Sequence, residues 1–432
     1  MKKKSSDFYQ ETYYFDTLDN GLKVYLHPKK DFYGTIAYLI VKYGSIDSEF
    51  IPSGQNEFVK VPYGIAHFLE HKMFEMPDNS NVTDMFASIG AEVNAYTSYE
   101  YTTYYTSTVK NFNSALNLLL DLVQTKGYTI ESVTKEIGII EQELLMYLDD
   151  PDDRLYNARL DTLLKSHPAK IDIGGTTSSI KEITIDHLDL CYDTFYHPSN
   201  MSLVVVGNFE EDEILNLVKE NQAKKSFLPR TEIIRKQFLE DSSINTKEKT
   251  LTMDINIPKV SVNIKIGSQA LSSEEIEIKK LALVYLLYQE FRSSSEFYQQ
   301  LLKEEIIDDS FNYFVVLDED FGYLSISSNT EKVDEFISRV KERLLSLKTI
   351  EVSTEHFERY FKIKKSVAIR KLDFIDNIAE MHVDSFIDGI EFFDGLDIIN
   401  KVKYEDVLDV RKYFNEESLT TVIIKNDEKE EL

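Results

Sequence analysis

Apolar and polar positions run through the same series twice along the chain. Residues 34–41 form a nearly continuous apolar run. A strand covered on both faces reads this way, because it loses the alternation of a half-exposed one. Residues 102–108 read as a strand that leads into a helical period around 115–123. A long helical pattern follows over 129–146, then a helix over 185–196 that runs into the apolar strand 202–207. The second half repeats this order. A strand over 252–266 precedes a strand at 322–328, a helix at 333–347, a long helix at 354–371, a helix at 404–414 and a strand at 419–424. Repetition of a supersecondary unit sets the architecture before any single motif does. Each copy combines an antiparallel-type sheet with helices packed on it, which is α+β. The polar, basic stretch 222–250 separates the copies. The expected domains are therefore 1–225 and 251–432, with 226–250 as linker.

Composition narrows the picture. At 432 residues the chain exceeds what one ordinary core organises, and 42% apolar residues with 12% aromatics suit well-packed globular domains. No apolar run approaches 18 residues, so no membrane span is expected. The basic start Met1-Lys2-Lys3-Lys4 is not followed by an apolar stretch and reads as a solvated tail rather than a secretory leader. The acidic end, 425–432, reads the same way. A single cysteine, Cys191, excludes an internal disulfide and a cysteine-based zinc site. A buried structural thiol and a cytoplasmic location are expected. The net charge of -27 argues against nucleic acid or an anionic membrane as partner.

One pentapeptide carries chemistry: His67-Phe68-Leu69-Glu70-His71. On a helix, positions i and i+4 share a face, so both imidazoles reach one metal ion. Glu70 lies where it can reach a water on that metal. This H-x-x-E-H order inverts the commoner zinc helix, and a match this short needs context. Gly64-Ile65-Ala66 leads into the run, Met73-Phe74 continues the period and Pro77 ends it. Catalytic zinc takes three protein ligands and a water. A carboxylate from a second helix is the missing ligand. Glu136 and Glu143 are two helical turns apart on one face, and spacing alone leaves both open. The corresponding helix of the second half, around 279–291, contains no histidine. One half carries the metal and the other serves another purpose.

Taken together, these residues resemble the pitrilysin, or M16, metallopeptidase family. The resemblance covers nearly the whole chain. It rests on 64–74, on Gly90-Ala91-Glu92-Val93-Asn94-Ala95-Tyr96-Thr97, on the helix bearing Glu136 and Glu143, and on Phe195-Tyr196-His197-Pro198-Ser199-Asn200-Met201. It implies two homologous LuxS/M16-type α+β domains that form half of a clamshell. It places Zn2+ on His67, His71 and Glu143, with Glu136 orienting a ligand and Glu70 as general base. Asn94, Ala95 and Tyr96 would hold an extended peptide beside the metal. The helix around Glu136 is similar to a Gram-positive branch often encoded as unequal pairs, and the size is similar to mitochondrial processing peptidase β-type subunits. Active family members need an Arg and a Tyr seven residues apart in a second-half domain. Here those slots hold Leu302 and Asp309, and the nearby Arg292 and Tyr313 are 21 residues apart. The resemblance thus implies a zinc endopeptidase subunit that acts on short or unfolded peptides in a closed chamber, paired with a related subunit that supplies Arg and Tyr. The alternative is a non-catalytic scaffolding subunit of the same fold. Such relatives tend to lose zinc ligands, and this chain keeps all of them.

Overall fold

The computed structural model describes residues 1–78, 80–267 and 270–426, so 427–432 of the acidic end lie outside the described residues. In the first half the strands are β1 (Lys2–Ser6), β2 (Glu11–Thr17), β3 (Lys23–Pro28), β4 (Thr35–Val41), β5 (Glu49–Ile51), β6 (Val59–Lys60), β7 (Ala91–Thr97), β8 (Thr102–Thr108), β9 (Met201–Gly207) and β10 (Ile234–Arg235). Seven of them form one sheet in the order β1-β2-β3-β9-β4-β8-β7, in which only β3 and β9 pair in parallel. A small sheet, β10-β5-β6, stands apart. The basic start is therefore not a free tail. Lys2–Ser6 stays exposed, yet it pairs in register with Glu11–Phe15 as the edge of the sheet. Lysine on an edge strand deters further pairing, so one composition suits both a tail and an edge.

The apolar run of β4 is buried at every position. Side chains alternate between the faces of a strand. Ala37, Leu39 and Val41 enter the main core with Phe68, Leu69, Leu116 and Leu119. Ile36, Tyr38 and Ile40 are buried on the opposite face, where the helix Ile375–Asp388 packs on β4 and β9. Cys191 lies in the main core as a buried thiol.

The second half builds the same sheet on a smaller scale from β11 (Glu248–Met253), β12 (Lys259–Gly267), β13 (Asn312–Leu317), β14 (Phe321–Asn329) and β15 (Leu419–Asn426). Their order, β11-β15-β12-β14-β13, matches β3-β9-β4-β8-β7, and again only the first pair, β11 with β15, is parallel. The strand read over 252–266 is in fact two. The chain turns at 254–258, where Pro258 has no N–H for a ladder. Leu155 and Ala158 of the helix Pro151–Leu163 cover Val422 and Ile424 of β15.

Contacts gather the chain into two units. The first comprises Met1–Leu144, Asp172–Lys236 and Val367–Phe393; the second comprises Leu145–Ile171, Gln237–Ser366 and the chain from Asp394 onward. Repeats and compact units are thus different divisions, because each repeat lends one helix to the other's sheet. No helix among the described residues is long and apolar enough to cross a membrane.

Glu240, in the stretch read as a linker, is a buried fastening point of the second unit. Its carboxylate accepts the backbone N–H groups of Lys165 at 3.0 Å, Ser166 at 2.7 Å and His167 at 2.9 Å, and pairs with the buried Lys265 Nζ at 2.5 Å. Burial alone would raise its pKa. The Lys265 ammonium and the three amides instead hold it near 2. Glu240→Ala strands a buried ammonium and should lower unfolding free energy by about 3–5 kcal/mol in urea titrations near pH 7. The folded pKa is depressed, so this contribution is present above the unfolded value near 4.5 and fades as pH falls toward 2. A wild-type urea midpoint in the alanine variant would refute the assignment.

Candidate metal centre

The helix bearing the pentapeptide spans Ile65–Met73 and starts from Gly64 in the left-handed region, φ +87°. A Cβ on Gly64 would lie 2.3 Å from the Gly174 carbonyl oxygen, and one on Gly175, φ +86°, would lie 2.5 Å from the Tyr63 carbonyl oxygen. Two backbone segments therefore touch directly, as glycine alone permits. This contact sets Gly174 beside His67, where an added Cβ would stand 3.5 Å from Nδ1. Ile65, Ala66, Phe68, Leu69 and Met73 go into the core. His67 and His71 keep partial exposure.

A second helix, Ile130–Asp149, buries Val133, Ile140 and Leu144. It presents both acidic candidates, but to different atoms. His67 Nε2 and His71 Nε2 are 3.2 Å apart. Glu143 lies 3.8 Å from the first and 3.6 Å from the second. Three ligands bonded at about 2.0–2.2 Å with tetrahedral angles stand roughly 3.3–3.6 Å apart; the separations here lie within about 0.2 Å of that range, and two imidazoles with one carboxylate suit zinc. These three residues are a group that can converge on one ion.

Glu136 faces elsewhere. Its Oε1 meets His71 Nδ1 at 3.1 Å and its Oε2 meets Lys72 Nζ at 2.9 Å. A carboxylate on the far nitrogen fixes the ring and directs the Nε2 lone pair toward the metal position. Burial would raise the Glu136 pKa, but hydrogen bonds to His71 and Lys72 hold it near 2. Burial, reinforced by the His71 charge, lowers His67 to about 4, so its ring is neutral and able to ligate near pH 7. Burial also acts to lower His71, and the Glu136 contact and surrounding carboxylates outweigh it, so its pKa lies above the usual value. Lys72, buried and further bonded to Glu75 and the Ser132 carbonyl, ties the two helices together through Glu136.

Glu70 is buried beside this group, and burial pushes its pKa up. Thr97 Oγ1, at the end of β7, donates to Glu70 Oε2 at 2.6 Å. β7 is the outer strand of its sheet and pairs with β8 alone. Within it Asn94 is exposed, and Ala95 and Tyr96 are half-buried. Tyr96 Oη donates to Glu380 Oε2 at 3.3 Å. Leu302 sits exposed near the end of the helix Glu296–Lys303, and Asp309 is exposed beyond it. Lys72, Thr97 and the Gly174-Gly175 turn gave no separate signal in sequence. A lysine after the motif reads as a surface charge, and the turn lies about a hundred residues downstream.

Comparison with known proteins gives the chain's family. The profile of insulinase-type peptidases of family M16 matches residues 51–177, and that of the M16 peptidase inactive domain matches 182–363. The chain belongs to the M16 peptidase family. It is 39% identical over 401 residues to the uncharacterised zinc protease YmfH of Bacillus subtilis, covering 93% of both chains. It is 29% identical over 219 residues to a mitochondrial-processing peptidase β subunit of Arabidopsis thaliana, spanning 50% of this chain and 39% of that one. An M16-like peptidase structure from Alicyclobacillus acidocaldarius superposes with a TM-score of 0.91 at 35% identity, covering 96% of this chain and 98% of that one. A Helicobacter pylori protease shares the fold alone, with a TM-score of 0.81 at 20% identity and coverage of 96% and 100%.

Proposed function

We propose that this chain is the zinc-bearing subunit of an endopeptidase that hydrolyses short or unfolded peptides. The observation that carries this reading is the convergence of His67 Nε2, His71 Nε2 and Glu143 at ligand spacing, with the buried carboxylate of Glu70 beside them. Zinc held by His67, His71 and Glu143 would lower the pKa of a bound water to near 7 and polarise a carbonyl. Glu70 takes the proton from the attacking water and passes it to the leaving amine, a transfer helped by the pKa that burial raises. Thr97 aims that carboxylate by donating to Oε2. Glu136 holds the His71 ring through Nδ1. The open edge of β7 at Asn94-Ala95-Tyr96 offers main-chain groups to an extended peptide, the geometry of strand addition. Leu302 and Asp309 supply no donor for the oxyanion, so a related partner chain carrying Arg and Tyr completes the site. A cytoplasmic setting accords with the lone, buried cysteine.

Metal analysis tests this reading. The purified chain should hold about one zinc, and Glu143→Gln should strip it. Glu136→Gln should weaken binding about 10- to 100-fold by freeing the His71 ring. Full zinc occupancy in Glu143→Gln would remove the assignment, and equal loss in the two variants would leave ligand and orienting carboxylate undistinguished.

A further inference from the structure

The two helices that hold the metal candidates have counterparts in the second repeat. Ser273–Phe291 follows β12 as Ile65–Met73 follows β4, and Thr354–Lys371 stands in the order where Ile130–Asp149 stands in the first repeat. Between these counterparts lies a small cleft that opens to solvent. Tyr285, Tyr288 and Arg292 line it from one helix, and His356, Arg359 and Tyr360 from the other. Where the first repeat gathers imidazoles and carboxylates, the second gathers phenols and guanidinium groups. No acidic side chain lines the cleft, although the chain carries 75 acidic residues against 48 lysines and arginines.

Three details mark this cleft as built for a ligand. The hydroxyls of Tyr285, 1% exposed, and Tyr360, 3% exposed, have no hydrogen-bond partner. Buried polar groups are normally satisfied, and an exception calls for an explanation. Neither Arg292 nor Arg359 pairs with a carboxylate among the described residues, whereas Arg339 and Arg343 nearby pair with Glu304 and Glu290. The aromatic groups are packed into a wall. The Tyr285 and Tyr360 rings lie 5.0 Å apart, those of Tyr288 and Tyr360 4.6 Å apart, and the Arg292 guanidinium sits 5.0 Å above the Tyr288 ring. Burial pushes the Tyr285 hydroxyl up to about 12, and the charges of Arg292 and Arg359 both act to lower it.

We propose that this cleft binds the C-terminal carboxylate of a peptide, with Arg292 and Arg359 gripping the anion and the tyrosine wall covering the terminal side chain. A guanidinium fork matches a planar carboxylate with two parallel hydrogen bonds. The buried hydroxyls are donors for the remaining lone pairs. The rings give apolar area that inorganic anions do not use, which favours a peptide end over free phosphate. The inference stands on the second unit alone and does not rest on the metal centre.

Calorimetric titration of the full chain carrying Glu70→Gln, which keeps the peptide intact, provides the test. The probes are an N-acetylated hexapeptide ending in phenylalanine with a free carboxylate, the same peptide as its C-terminal amide, and inorganic phosphate. The free acid should bind at least tenfold more tightly than the amide. Arg292→Gln and Arg359→Gln should each weaken the acid at least tenfold and leave the amide unchanged. Tyr360→Phe, which removes only a hydroxyl, should weaken it severalfold. Melting temperature and zinc content should stay at the parent's values in all three, which separates loss of the site from loss of the fold. Equal affinity for acid and amide, acid binding indifferent to both arginine changes, or phosphate binding that the peptide acid cannot displace would each overturn the proposal. Failure of peptide cleavage in the wild-type chain would leave these titrations unaffected, so the two readings fail separately.

Discussion

Glu70→Gln should retain zinc and fold while kcat for an unstructured peptide falls by about 10²- to 10⁴-fold, the usual contribution of a positioned proton-transfer group. Gln is isosteric with Glu, and its amide oxygen can still accept from Thr97 Oγ1, which now bonds Glu70 at 2.6 Å. The three ligand candidates are His67, His71 and Glu143, so the substitution removes none of them. What it removes is the ability to take a proton. Melting temperature should hold or rise, because a buried carboxylate whose pKa is raised by burial carries a desolvation penalty that the amide avoids. Metal content, melting temperature and kcat measured on one preparation separate the roles. Cleavage at near the wild-type rate would show that Glu70 is not the base.

The other large effect follows from what the second half lacks. The purified chain alone should cleave peptides about 100- to 1000-fold more slowly than a mixture with a related chain that carries Arg and Tyr seven residues apart, the range that loss of one oxyanion donor produces. Leu302 is 40% exposed near the end of its helix and offers only hydrocarbon. Asp309, also exposed, would repel a developing oxyanion. Two half-sites on separate chains make turnover depend on association, so specific activity should fall on dilution of the mixture. Full activity from this chain alone, constant on dilution, would sink the two-chain mechanism and require a donor pair elsewhere.

How far the sequence discloses the molecule depends on the range of the interactions involved. The repeat was legible because sheet and helix periods are local, and β8 (Thr102–Thr108) and the helix Thr354–Lys371 fall where periodicity puts them. The pairing of His67 with His71 was legible because i,i+4 geometry is a property of one helix. The choice between Glu136 and Glu143 was not. Both share a face, and only the tilt of one helix over the other decides that Glu143 meets the Nε2 atoms while Glu136 meets Nδ1 and Lys72. Thr97 and Gly174 lie distant in sequence from the residues they touch, and no local period reports that. The break at 254–258 hid inside an apolar stretch because β11 and β12 both carry strand-forming residues. The paired edge strand Lys2–Ser6 was hidden because lysines suit an edge as well as a free end.

The exchange of helices between the repeats bears on how the chain is made. The outer face of β4 and β9, with Ile36, Tyr38 and Ile40, is covered by the helix Ile375–Asp388, which emerges about 180 residues after β9 is complete. At the usual synthesis rate of about 5–20 residues per second, that sheet face waits roughly 10–35 s for its cover. Apolar sheet surface exposed during synthesis is aggregation-prone until it is covered. Translation speed across the second half thus sets how long that face stays uncovered.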